Sequence, residues 1–421
     1  MSTTSPTART GPNPWYIATV AGMASYLDAA TIVSTGNALV MYQKALALTG
    51  DQIGILSAAL TLGIAFGAAV GGRLGDRFGR KPVVTVTALG LVAAMLANVF
   101  APGFELLLVG AIIGGIGSGA LLPVSLADIA EAADDSNRGK LVSFTQSWWM
   151  LGIIIPLALT TAFGGLARLG GQIVFGVVAV VALATFFGRL LLPESPVWLQ
   201  ARDGRGQTTI DRPQRAGIRD LLKAPYLVPF VSILIFYPLV NLAANTGGQF
   251  GTYLWVNTAG TTVEFAGIVG LVMTGVGFVL SLVFPRMVDT RWRMPIFYFG
   301  AACYVLSALI PAIIGVSVVT LLIWQTLAAI GGAFAFEAIM KVWTQESFAT
   351  MIRSTAQGTI ISVARVLAAV LALFTPRLAA AGPQGLFMVL TVLIAIGMAA
   401  AIIAFRTGTK STFDLEAQSS R

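Results

Sequence analysis

GRLGDRFGRK at residues 72–81 returns as PRMVDTRWRM at 285–294, setting Asp289 on Asp76, Arg286 on Arg73 and Arg293 on Arg80. Each copy is a short basic stretch between two long apolar ones. A second landmark repeats with it: Glu131 precedes Arg138 by seven residues, as Glu346 precedes Arg353. The two offsets, 213 and 215 residues, are what a duplicated half of a chain leaves behind. Two similar halves around a central site suit a membrane protein that opens alternately to its two sides.

Outside the repeat, composition settles the surroundings. By length alone 421 residues suggest two or three soluble domains, but 56% are apolar and only 10% charged, too little polar surface to face water. Apolar windows separated by charged or Pro/Gly-rich breaks predict twelve spanning helices, at 15–42, 52–72, 82–101, 104–130, 141–166, 170–192, 225–256, 262–285, 294–315, 317–344, 354–380 and 383–405. With connections placed on alternate sides, Lys44, Arg168 and Arg377 are the only outer cations, Lys341 and Arg365 fall within spans, and every other Lys or Arg is cytoplasmic. The expected fold is an all-α membrane protein of twelve transmembrane helices in two six-helix pseudo-repeat halves. Its parts are a cytoplasmic tail (1–14), a first bundle (15–192), a cytoplasmic central loop (193–224), a second bundle (225–405) and a cytoplasmic tail (406–421). The polar first fourteen residues run straight into an apolar segment too long for a signal-peptide core, so a multi-pass protein of the cell membrane with both termini inside is expected, without a cleaved leader.

The same counts exclude whole chemistries. The chain has no histidine and one cysteine, Cys303, which removes His-based metal sites, Ser-His-Asp triads and disulfide frameworks. The net charge of +8 is scattered between apolar segments and forms no stripe beside aromatics, so nucleic acid is not an expected partner. The spans offer neither paired catalytic carboxylates at a membrane face nor a nucleotide loop, and an enzyme is not expected. The expected partners are a small-molecule substrate and the lipid bilayer, with the protein monomeric and no cofactor beyond a coupling proton.

GGRLGDRFGRK resembles the signature loop of the major facilitator superfamily. Glu131 with RGKLVSFTQ at 138–146, PESPVWL at 193–199 and QESFATMIRSTAQG at 345–358 resemble its sugar porter branch, and Gly114 to Gln146, with GGIGSG at 114–119, is most similar to bacterial xylose-proton symporters. The resemblance runs the whole length and is strongest on the cytoplasmic side. There Asp76, Glu131, Glu194 and Glu346 are placed to pair with Arg73, Arg77, Arg80, Arg138 and Arg353 across helix ends. The resemblance implies that such pairs latch a cytoplasmic gate when the protein is open outward.

Within the spans lie four ionisable residues, Asp28, Glu337, Lys341 and Arg365. A charge at mid-bilayer costs about 2.5–3.5 kcal/mol even on lenient scales, so each must face a cavity or a partner. The resemblance gives Asp28, in SYLDAATIVSTGNA, the role of proton-coupling acid, but where proton-coupled xylose porters carry an arginine in the fourth helix this chain has Ala111. Gln146 falls on the family's sugar-binding glutamine. The seventh helix lacks the family's paired glutamines and offers Asn241, Asn245, Gln249 and Tyr253 at i+4 spacing, a polar stripe for the substrate or for a neighbouring helix. Lys341 stands where sugar porters carry a stacking tryptophan, and Arg365 one residue beyond their helix-eleven glutamine. If Glu337 neutralises one cation the other could take a substrate carboxylate or phosphate; if Asp28 partners it, the substrate could be neutral. The expected function is proton-coupled uptake of a small sugar, polyol, sugar acid or organic acid by alternating access. Proton-driven efflux of an anionic or amphiphilic compound and a non-transporting membrane sensor are the alternatives.

Overall fold

The computed structural model describes residues 14–132, 138–195, 199, 221–288, 290–348 and 350–406, excluding the side chains of residues 14, 76, 130–132, 138–140, 142, 143, 350, 351 and 354. Helices α1 (Pro14–Ala45), α2 (Gly50–Phe78), α3 (Arg80–Phe100), α4 (Phe104–Ala132), α5 (Arg138–Phe163) and α6 (Arg168–Leu190) are followed, after the central loop, by α7 (Leu227–Thr258) and α8 (Val263–Ser281). Next come α9 (Arg293–Ile314), α10 (Val318–Ala335), α11 (Glu337–Ser347), α12 (Thr350–Ala381) and α13 (Pro383–Phe405). Among the described residues, twelve helical segments are long and apolar enough to cross a membrane, α10 and α11 together making the tenth.

Local chemistry sets the helix boundaries. Thr49 caps α2 by accepting from the Gln52 amide, while the Gln52 side chain accepts from the Thr49 amide. Helix α2 then runs through most of the GRLGDRFGRK stretch, and the predicted loop shrinks to one residue, Gly79, whose φ of +104° favours glycine. The matching stretch of the second half is looser: α8 stops at Ser281 and a single turn, Phe284–Met287, fills the gap before α9.

The tenth span departs most from expectation. One helix is predicted over 317–344; the chain instead breaks at Phe336, with φ −133° and ψ −111°, between α10 and α11. Gly331 and Gly332 weaken the helix just before the break. The Phe336 ring then stacks on Tyr237 at 5.4 Å between centroids and meets Tyr304 edge-on at 6.3 Å, contacts that hold the kinked backbone in place.

Helices pack at backbone distance wherever glycine allows it. A Cβ at Gly67 of α2 would lie 2.2 Å from the Ile116 carbonyl oxygen of α4, and one at Gly119 2.1 Å from that of Ile64. The same device joins the two halves. Helix α1 meets α7, α2 meets α12 and α5 meets α8. A Cβ at Gly36 would lie 2.2 Å from the Gln249 carbonyl oxygen, and one at Gly54 2.7 Å from that of Leu373.

Candidate functional site

Asp28, midway along α1, is buried. Its carboxylate accepts from the indole N–H of Trp149 on α5 at 3.4 Å, with the Ser118 hydroxyl of α4 beside it. Across the halves, Arg365 of α12 attracts that carboxylate and Glu337 of α11 repels it. Ala111, where the resemblance places an arginine, is buried and apolar. A cation from the opposite half thus acts on the acid. Glu337 and Lys341, one turn apart on α11, form an ion pair at 2.7 Å with both side chains about half exposed (45% and 49%). The expectation that Glu337 neutralises one of the two cations holds, and Lys341 is the one it neutralises.

Toward the predicted outer side the halves are stitched together. Thr252 donates to Asn37 Oδ1 at 2.7 Å, and Gln249 donates to the Ser57 carbonyl at 3.2 Å. Gln43 and Asn257 exchange amide hydrogen bonds at 3.2 and 3.3 Å. Arg377 grips both Asp51 oxygens, at 2.6 and 3.0 Å. Of these residues the sequence singled out Gln249, whose bond to α2 is the neighbouring-helix reading of the polar stripe, while Arg377 was marked only as a rare outer cation and Asn37 only by lying in the Asp28 segment.

Between the outer closure and the central charges lies a cavity of about 350 Å³ bounded by α1, α5, α7, α8 and α10 and floored by Phe336 at the helix break. Small residues dominate its wall, with Trp324, Tyr304 and Phe336 as aromatic surfaces and no charged side chain among the lining residues. Its volume is at the small end of ligand pockets.

Several expected ligand residues sit elsewhere. The Asn241, Asn245, Gln249, Tyr253 stripe is not the cavity face of α7. Ala243, Ala244, Gly247, Gly248, Gly251 and Thr252 line the cavity, while Gln249 and Tyr253 are buried toward α2, with the Tyr253 hydroxyl beside Gly50. The reason is steric: the glycine and alanine face leaves room for a ligand, and the Gln249 amide faces α2, where it donates to the Ser57 carbonyl. Asn241 and Asn245 are half-buried, and Gln146 is exposed; none of the three lines the cavity. Glu337, Lys341 and Arg365 lie outside it as well.

The cytoplasmic network also differs in its pairings. Glu346 binds Arg293, at 2.9 and 3.0 Å, whereas Arg353 donates to the Phe348 and Gln345 carbonyls. Glu194 accepts from the Arg80 and Lys81 amides and so caps α3, placing an anion at the positive end of that helix. It also stands 3.8 Å from Arg189, which is buried in an ion pair with Asp128 that sequence reasoning did not single out. Arg73 is exposed, and the Arg77 guanidinium lies over the Phe78 ring at 5.3 Å. The side chains of Asp76, Glu131 and Arg138, named in the expected network, lie outside the described residues.

The sequence model described as Major Facilitator Superfamily matches residues 18–358. The minor myo-inositol transporter of Bacillus subtilis strain 168 is 30% identical over 366 residues, covering 85% of this chain and 83% of that one. A D-xylose transporter of Levilactobacillus brevis is 31% identical over 162 residues, 38% of this chain and 35% of its own. Among solved structures, the inward-open xylose transporter of Escherichia coli superposes with a TM-score of 0.75 at 18% identity, covering 96% of this chain and all of that one. A D-xylose-proton symporter crystal structure gives 0.73 at 20% identity, over 92% of this chain and 95% of that one.

Proposed function

The chain belongs to the Major Facilitator Superfamily of membrane transporters, and on that premise we propose that it takes up a small uncharged sugar or polyol with protons, by alternating access. It works as a monomer with both termini in the cytoplasm and needs no cofactor beyond the proton. One observation carries the choice of an uncharged substrate: the cavity between the halves has no charged side chain in its wall. Lys341 is neutralised by Glu337, and both Lys341 and Arg365 lie outside the cavity wall, so neither offers a counter-charge to a substrate held there. An anionic cargo entering this cavity would lose its hydration without gaining a counter-charge. The sugar and polyol relatives support the same class.

Asp28 is the coupling acid. In the outward-open state it takes a proton from outside; with substrate bound the halves rock to the arrangement seen here, closed on the outer side. Facing the cytoplasm, the proton leaves, and Arg365 then stabilises the bare carboxylate until the cycle resets. Because Arg365 comes from the second half, loss of the proton strengthens an attraction between the halves, which links protonation to their relative position. The motif-bearing side, with Glu194 on the α3 N-terminus and Glu346 on Arg293, is the cytoplasmic gate.

Competition in liposomes tests the substrate class. Exchange of labelled myo-inositol or D-xylose by purified protein should be blocked by unlabelled neutral sugars and polyols and spared by their carboxylated counterparts. Inhibition by the acids alone would overturn it.

A further inference from the structure

Two amide side chains in the cavity wall each carry a buried polar atom that nothing in the protein satisfies. Asn37 of α1 is 4% exposed, and its Oδ1 is already taken by the Thr252 hydroxyl, which fixes the amide and leaves Nδ2 as a donor without an acceptor. Gln325 of α10, in the opposite half, has Oε1 buried without a donor. Both residues line the same 350 Å³ space, and a buried polar group left unpaired costs about 1–3 kcal/mol. Such a cost is tolerated at two positions facing one cavity if a ligand removes it.

We propose that Asn37 and Gln325 are the substrate-reading pair of this transporter, Asn37 Nδ2 donating to one ligand hydroxyl and Gln325 Oε1 accepting from another. The proposal rests on the transport reading above and names the residues that recognise its substrate. The chemistry of the pair is selective. A hydroxyl both donates and accepts, so a compact polyhydroxylated ring satisfies both atoms at once. A carboxylate would set its oxygen against Gln325 Oε1 and an ammonium its proton against Asn37 Nδ2, each a repulsion in a site with no charge to compensate. The aromatic surfaces of Trp324, Tyr304 and Phe336 give the apolar ring faces a wall to pack on. Asn37 is nine residues beyond Asp28 on α1, about 13 Å along the helix, so substrate and proton occupy separate sites on one rigid element. The two readers belong to different halves, so a bound ligand bridges them just beneath the closed outer side. None of the residues expected to bind substrate from the sequence belongs to this pair.

The structure also supplies a clean way to fill the space. A Cβ built on Gly332, in the cavity wall, meets nothing within 4 Å. The Gly332→Val variant, whose Cβ enters open space, should fold and lose exchange, its melting midpoint being read beside the transport. The experiment is counterflow of labelled myo-inositol and D-xylose in liposomes, with thermal melting run beside it, for the wild type, Gly332→Val, Gln325→Met and Asn37→Asp, the last keeping the acceptor for Thr252. Gln325→Met, one hydrogen bond short, should raise the half-saturation concentration about fivefold to tenfold, and Asn37→Asp, which replaces the donor by an uncompensated carboxylate, at least as much. Of the deoxy analogues that weaken binding to the wild type, the one lacking the hydroxyl that Gln325 reads should cost Gln325→Met nothing further. A wild type that exchanges neither probe overturns the transport reading and the pair with it. A wild type that exchanges while Gln325→Met and Asn37→Asp stay within twofold, or while Gly332→Val exchanges at the wild-type rate, overturns the reading pair alone.

Discussion

The interface between the halves has two different ends. On the predicted outer side it is a set of short-range closures: Gly36 against the Gln249 carbonyl, Thr252 on Asn37, Gln249 on the Ser57 carbonyl and Arg377 on Asp51. Near the middle and below it the chemistry changes to charges, with Glu337 and Lys341 half exposed and Gln146 exposed. One end is built from backbone contact and neutral hydrogen bonds that hold a closed position; the other holds Asp28 and the charges that act on it. Closure needs rigid complementarity, which glycines and carbonyls supply without any change of charge. Proton transfer needs a group whose charge can change, and Asp28 is buried among the charges that respond to it.

That contrast can be broken from the outer end. The Gly36→Leu variant should have the largest effect, because its Cβ would meet backbone at 2.2 Å and α1 and α7 must part. Overpacking of about 1–3 kcal/mol shifts the equilibrium toward the outward-open state by roughly 5- to 150-fold. The readout is labelling of Gly248→Cys, in a Cys303→Ala background, by an impermeant maleimide added outside. Next is Thr252→Val, which leaves the Asn37 acceptor buried and unpaired. It should speed the same labelling by roughly fivefold or more. Asp51→Asn removes an exposed pair and should change labelling by only about two- to threefold, less at high salt, with the exchanged pair Asp51→Arg and Arg377→Asp restoring it. The smallest effect belongs to Lys341→Gln, which should leave the half-saturation concentration for a neutral polyol within about twofold, since that exposed i,i+4 pair adds little. A tenfold loss there would make Lys341 a substrate ligand and return the anion reading.

The fold was legible in the sequence because length and hydropathy determine a spanning helix, and a duplicated half carries its landmarks at constant offset. The predicted span 383–405 matches α13, and the first half follows its apolar windows closely. What was hidden is rotation about each helix axis. Helix α7 is apolar on nearly all sides, so its Asn and Gln residues stand out in sequence although its glycines form the cavity wall. Polar side chains attract notice by cost; empty space leaves no residue to notice. Pairing across helices was hidden for a related reason. A seven-residue spacing places Glu346 and Arg353 on the same side of the membrane, but reach and direction decide the partner, and Arg293 is the one that meets Glu346. The break at Phe336 lacks the usual proline, and two glycines before it were its only local sign. Asp28 and Arg365 each stood out in the sequence because burying a charge is costly enough to demand a cavity or a partner; that the two act on each other across the halves came from the structure.

The central claim is that an uncharged substrate moves together with a proton carried by Asp28. The most direct measurement is luminal pH in liposomes containing the purified protein and a pH dye, on adding myo-inositol or D-xylose outside, with Asp28→Asn measured in parallel. Acidification with the neutral compounds, absent in an Asp28→Asn protein that still exchanges label, is the predicted result. Acidification with the carboxylated counterparts alone, or an undiminished response from Asp28→Asn, would contradict it.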